Sequence, residues 1–273
     1  MNRTFFLVLV LVLTSLLVGC SENDSEPVSE FAGDWRHAGG DHSQAKYSPL
    51  DQINAENFAD LEVAWRWQSA DLRLPDGVGY ATADYRAVPL VVNGIMYVNS
   101  NHGVIAAIDP ATGEELWLFD PESYRYGSPI QTNIMIRGIE YWTDGDIERI
   151  FVATLGKQLL SLDVATGQPD PNFGEDGFID LSQNLGRLEF ESNFITAGAA
   201  PIAIGNSLIV GSKIFDYGMY NRSPPGHVRA YDTYTGELKW RFNTIPQDGE
   251  YGNETWENDS WRTAGNTNVW TFM

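Results

Sequence analysis

Cysteine is all but missing from this sequence: there is one, at position 20, in 273 residues. A single thiol excludes an intrachain disulfide framework and a thiolate metal cluster. Basic side chains are scarce too, 17 Lys+Arg against 37 Asp+Glu, for a formal net charge of −20. A surface so acidic repels phosphates instead of releasing counterions from them, which excludes nucleic acid as a partner. The histidines, His37, His42, His102 and His227, are scattered with no metal-ligand spacing. There is no Gly-x-Gly-x-x-Gly, no phosphate loop and no usable Ser/His/Asp order. Beyond residue 18 no apolar run is long enough to span a bilayer. Aromatics are plentiful: nine Trp, twelve Tyr and thirteen Phe. That is too much apolar surface to leave in water, so the chain folds around a sizeable core.

The one cysteine stands at an informative place. Asn2 and Arg3 precede an apolar run from Phe5 to Val18, and Leu17-Val18-Gly19 lead directly into Cys20. A charged start, a short apolar stretch and small residues before a cysteine resemble the bacterial lipoprotein signal. A plain signal peptide or an anchor helix with an incidental cysteine is the alternative. The resemblance implies cleavage before Cys20, lipidation of its thiol, and a mature charge of 16 − 37 = −21. It divides the chain into a signal at 1–19, a flexible acidic tether at 20–34 and a folded domain at 35–273. Ser21 resembles the residue that permits sorting to the outer membrane, so the expected location is periplasm-facing and membrane-anchored by lipid, in the outer membrane in preference to the inner.

One pattern then recurs three times: Ala107-Ile108-Asp109-Pro110-Ala111-Thr112-Gly113, Ser161-Leu162-Asp163-Val164-Ala165-Thr166-Gly167 and Ala230-Tyr231-Asp232-Thr233-Tyr234-Thr235-Gly236. Four residues after the glycine stand Trp117 and Trp240, with Pro171 in the middle copy. Asp and Thr side chains bond backbone groups in tight turns, and Gly supplies the left-handed conformation, so these units read as hairpin turns and not as catalytic groups. Apolar runs broken by Asn93-Gly94 and by Gly205-Asn206 read as further hairpins. Four strands per unit with no helical period predict an all-β fold, a β-propeller of four-stranded antiparallel blades. The aspartates are 54 and 69 residues apart, against roughly 40–50 for a bare blade. The excess belongs in long loops, where a rigid scaffold carries its sites.

The Ala-x-Asp-x-x-Thr-Gly-x-x-x-Trp unit resembles the tryptophan-docking motif of the eight-bladed quinoprotein dehydrogenases, which use pyrroloquinoline quinone (PQQ) and a divalent cation, usually Ca²⁺. Tyr47-Ser48-Pro49-Leu50-Asp51-Gln52-Ile53-Asn54, followed by Leu61-Glu62-Val63-Ala64-Trp65-Arg66-Trp67, is similar to that family's first segment and outermost first strand. Arg137-Gly138-Ile139-Glu140-Tyr141-Trp142 resembles its Arg-Gly-x-x-Tyr-Trp signature. Phe173-Gly174-Glu175-Asp176-Gly177 and Pro225-Gly226-His227-Val228-Arg229 look like the glucose/polyol branch. The resemblance extends from about Trp35 to Met273.

It implies a role for several residues. Arg137 pairs with a PQQ carboxylate, and Trp270 forms the stacking floor under the ring system. Asp216 offers an oxygen to the metal, although Lys213-Ile214-Phe215 stand where the family has smaller residues. Thr196 is a candidate hydroxyl contact and Arg86 a candidate cofactor-facing residue. Gln131-Thr132 occupy the place of the adjacent cysteines of the methanol-type enzymes, which favours the glucose/polyol branch. The catalytic Asp and further metal ligands are expected beyond Met273. The activity implied is oxidation of a sugar, polyol or alcohol, glucose-type first, with electrons passing to a quinone or cytochrome acceptor. Blades of this length give three to four in 273 residues, so an incomplete ring is expected, an N-terminal portion that is inactive alone. The rival reading is a non-enzymatic outer-membrane lipoprotein propeller that binds other proteins.

Overall fold

Short apolar stretches bounded by tight turns pair with their sequence neighbours throughout. The computed structural model describes residues 33–74, 85–126, 136–186, 195–214, 223–265, 267–269 and 271–273. Cys20 and the proposed signal, with all of the tether but its last two residues, lie outside these, as do Gln131, Thr132, Asp216 and Trp270. In the first sheet Leu90–Val92 (β1), Ile95–Asn99 (β2), Ile105–Ile108 (β3) and Glu115–Phe119 (β4) run antiparallel in sequence order. The second contains Glu140–Thr143 (β5), Glu148–Ala153 (β6), Gln158–Asp163 (β7) and Phe178–Asp180 (β8). Ile195–Thr196 (β9) and Lys213–Ile214 (β12) form a two-stranded ribbon. The third blade combines Ile202–Ile204 (β10), Ser207–Val210 (β11), Val228–Asp232 (β13) and Leu238–Phe242 (β14). These are propeller blades, and the all-β expectation holds. Among the described residues no helix is long and apolar enough to cross a membrane.

The turns form as their residues dictate. Asn93 and Gly94 both take positive φ, 51° and 76°, as a two-residue hairpin turn requires. In each Asp-Thr-Gly unit the aspartate side chain accepts backbone N–H groups: Ala111 N–H at 2.8 Å from Asp109, Thr166 N–H at 2.8 Å from Asp163, Tyr234 N–H at 2.9 Å from Asp232. The glycine N–H donates back to the aspartate carbonyl at 2.8, 2.8 and 2.9 Å. The threonine hydroxyl accepts the N–H of the second residue after it, at 3.2 to 3.3 Å.

Blades stack through these turns. The Trp117 ring lies on Gly167 so closely that a Cβ there would be 2.5 Å from it, and its indole N–H donates to Val164 O at 3.0 Å. Trp65 repeats the arrangement on Gly113, with its N–H on Pro110 O at 2.9 Å. The expected strand over 61–67 is absent, because the segment has no ladder partner among the described residues. It nevertheless covers the outer face of the first blade, where Trp65 and Trp67 meet Val98, Ala106 and Ile108. Where Pro171 replaces the tryptophan, Gly174 N–H donates to Thr235 O at 2.9 Å and Ile179 lies against Gly236.

The second blade is buried on both faces, and the two-residue strand period divides its side chains between two cores. Ile150, Val152, Leu160 and Leu162 face Leu90, Tyr97 and Ile105 of the first blade. Phe151, Ala153 and Leu159 face Leu208, Val210 and Tyr231 of the third. Arg149 crosses that second interface, ion-paired to Asp170 and donating to Thr233 O at 3.2 Å.

Gly167→Ala should therefore cost about 2–4 kcal/mol, combining a left-handed alanine with overpacking against the indole. Gly145→Ala has a positive φ but nothing within 4 Å of the new Cβ, and should cost about 1 kcal/mol. Urea unfolding of the two variants measures the difference; equal losses would remove the tryptophan contact as the cause.

Candidate functional site

Antiparallel alternation decides where a site can be built. The β1–β2 and β3–β4 turns lie at one end of the blade, so the β2–β3 loop and the β4–β5 connection lie at the other. The same holds in every blade, so the blade-to-blade connections gather at that second end, while the 164–177 connection of the second blade lies at the first. Buried polar residues collect there: Asn99, Ser100, Asn101 and His102 in the first blade, Thr154 and Gln158 in the second, Ser212 and His227 in the third. They are tied to backbone. Ser123 donates its hydroxyl to His102 O, Ser212 donates to His227 O at 2.9 Å, and His227 Nε2 lies 3.2 Å from Leu185 O. His102 Nδ1 is 3.1 Å from an Asp71 carboxylate oxygen. Arg229, buried, donates to Leu181 O at 2.8 Å and Gln183 O at 2.9 Å.

Three inner strands, β1, β5 and β10, are each approached from this end, and their approaches are bonded together. Val88 N–H donates to Arg137 O at 3.0 Å, and Arg137 N–H donates to Gly198 O at 3.1 Å. Arg86 and Arg137 are thereby set close. Burial, and secondarily the Arg86 guanidinium beside it, lower the Arg137 pKa below the usual arginine value. Arg137 is half-buried and Arg86 exposed. Two guanidiniums brought near one another from consecutive blades, one of them partly desolvated, carry the chemistry that suits a carboxylate-bearing ligand.

Thr196 stands two residues before Gly198, buried in the β9–β12 ribbon, and its hydroxyl donates to Lys213 O at 3.4 Å. The structure thus brings Arg86 and Arg137 together and places Thr196 on the neighbouring approach. Asp216 follows β12 and Trp270 lies in the last segment, both outside the described residues.

One constellation has no counterpart in the sequence reading. His37, which is buried, has Nδ1 3.2 Å from both oxygens of Glu140. His42 Nε2 is 3.8 Å from Glu140 Oε1, and the two imidazole rings are 3.9 Å apart. The expectation that the histidines are unrelated is corrected for this pair. Positions 37 and 42 fit no helical or strand ligand spacing, and Glu140 is 103 residues from His37. The available signal was a carboxylate inside an otherwise apolar strand, Ile139-Glu140-Tyr141-Trp142.

The sequence pattern of the family described as "PQQ: Glucose/ethanol/alcohol dehydrogenase, beta-propeller domain" matches residues 35–273. The chain belongs to this family. It is 31% identical over 252 residues to the quinohemoprotein alcohol dehydrogenase of Comamonas testosteroni, covering 88% of this chain and 31% of that protein. It is 29% identical over 233 residues to quinoprotein glucose dehydrogenase A of Acinetobacter calcoaceticus, covering 77% of this chain and 28% of that one. The structure of quinohemoprotein alcohol dehydrogenase ADHIIG from Pseudomonas putida HK5 superposes with a TM-score of 0.68 at 27% identity, covering 88% of this chain and 32% of that one. The chain spans about a third of the length of the curated relatives it matches. The quinoprotein dehydrogenase family uses PQQ with a Ca²⁺ or lanthanide ion. The arginine pair fits that cofactor, since PQQ is a flat tricarboxylate and two guanidiniums held near each other match two of its carboxylates.

Proposed function

We propose that this chain forms part of the cofactor site of a PQQ-dependent dehydrogenase that oxidises the CH–OH group of an alcohol, polyol or sugar. The meeting of Arg86 and Arg137 at the loop-bearing end of the blades carries this reading. Two guanidiniums brought near one another suit the carboxylates of a flat polyanion.

The roles follow from chemistry. Arg137 and Arg86 bind and orient the carboxylates of the cofactor, with Arg137 the stronger contact because it is partly desolvated. Trp270 provides the stacking surface and Asp216 an oxygen ligand for Ca²⁺, as the resemblance implies. Thr196 supports the site from the ribbon beside it. PQQ, when bound, supplies an electrophilic quinone carbonyl that takes up the two electrons and the hydrogen leaving the alcohol carbon. No residue of this chain is assigned to take the hydroxyl proton. Electrons then leave to a quinone or cytochrome acceptor. The lipobox-like stretch before Cys20 supports a lipid anchor on that residue, a tether over 20–34 and a periplasm-facing domain at the membrane surface.

Reconstitution of the complete gene product with PQQ and Ca²⁺ should give dye reduction that depends on an added alcohol, polyol or glucose, and absence of any cofactor-dependent reduction counts against the enzymatic reading. In a separate titration, PQQ should quench tryptophan fluorescence, and Arg137→Ala should weaken binding by about 2 kcal/mol, roughly thirtyfold. An unchanged affinity would falsify the assignment of Arg137 to the cofactor.

A further inference from the structure

Glu140 occupies an open position of the Arg-Gly-x-x-Tyr-Trp motif, so the cofactor signature gives it no task. Its surroundings do. It lies on β5, an inner strand, only 3% exposed. Three residues of extended chain, at about 3.3 Å each, separate it from Arg137, so it lies about 10 Å deeper along the strand than the arginine pair. Three separate parts of the fold converge on it. The His37 ring comes from the segment that pairs with the first blade through Trp35 and Val91, with reciprocal N–H donors at 2.7 and 2.9 Å. His42 follows from the turn after it. Ala203 on β10 donates its N–H to Glu140 Oε1 at 2.9 Å.

We propose that His37, His42 and Glu140 form a binding site for a divalent transition metal, with Zn²⁺ the representative ion. Their ligand atoms all lie within 4.8 Å of one another. Zinc bound at about 2.0–2.2 Å from nitrogen and oxygen sets tetrahedral ligands about 3.4 Å apart. The observed separations of 3.2 Å from His37 Nδ1 and 3.8 Å from His42 Nε2 to Glu140 Oε1 are within a few tenths of an ångström of that edge. A hydrogen-bonded His–Glu pair needs one imidazole. Here two imidazoles approach the same carboxylate oxygen, which already accepts the Ala203 N–H, and an ion between the three resolves that competition. The Ala203 N–H then serves as the outer partner that fixes the carboxylate.

Two imidazoles and a carboxylate select zinc or a similar borderline ion and disfavour Ca²⁺, which takes six or more oxygens. The site is therefore chemically distinct from the oxygen-ligated ion of the cofactor. The His42 side chain is 36% exposed and provides the route by which the ion arrives. Gln44 and Phe272 line the adjoining hollow and leave room for a water as fourth ligand. Such an ion would fasten the segment before the first blade to the inner strand of the second, and through Ala203 to the third.

The experiment uses the whole chain, loaded with excess Zn²⁺, desalted and analysed for metal by mass spectrometry. About one Zn²⁺ per chain should remain. His42→Ala, at a partly exposed position where folding survives, should weaken zinc binding at least tenfold, about the least that loss of even an outer partner costs. Far-ultraviolet circular dichroism checks that the variant is folded. Co²⁺ should give the intense visible bands of a tetrahedral site in the parent chain and lose them in His42→Ala. Zinc content equal in parent and variant, no retained zinc in either, or displacement of the zinc by millimolar Ca²⁺ would each overturn the proposal. These readouts need no PQQ and are independent of dehydrogenase activity.

Discussion

The contact on which the rest of the structure depends is an indole lying flat on a glycine. Trp117 at the edge of the first blade covers Gly167 of the second and donates its N–H to Val164 O, one residue past Asp163. Trp65 makes the same pair of contacts with Gly113 and Pro110, again one residue past the aspartate. The turn must be left-handed at glycine, must lack a Cβ, and must hold its carbonyl outward. The aspartate and threonine hydrogen bonds enforce all three, so polar residues of no catalytic use set the spacing between blades. With that spacing fixed, Leu90, Ile105, Ile139 and Ile150 close into one core and Phe151, Phe173 and Leu208 into the next.

Because the tight turns occupy one end, the blade-to-blade connections are left to the other. The arginine pair is a product of this arrangement. Neither Arg86 nor Arg137 sits on a strand; each precedes an inner strand, and the hydrogen bonds among Val88, Arg137 and Gly198 gather the approaches. The scaffold thereby brings two like charges near one another from consecutive blades.

Much of this was legible in the sequence, for a physical reason: the turn chemistry is local. Asp109, Thr112 and Gly113 reveal their turn within five residues, and Asn93-Gly94 names its hairpin outright. Docking tryptophans repeat at a fixed offset from glycine, which makes blades countable. Three features were not legible because they arise from contacts between distant segments. The stretch 61–67 has the composition of a strand but becomes a cover held by Trp65, since a strand needs a ladder partner and composition does not provide one. The loss of tryptophan at Pro171 is met by Gly174 and Ile179, backbone and apolar contacts with no motif. The His37–Glu140 contact joins residues a hundred positions apart, and only a carboxylate in an apolar strand hinted at it.

The cover over the first blade has a further consequence. By filling the space over Gly113 and taking up the Pro110 carbonyl, Trp65 leaves the Asp-Thr-Gly turn of the first blade no room for an indole from any other segment.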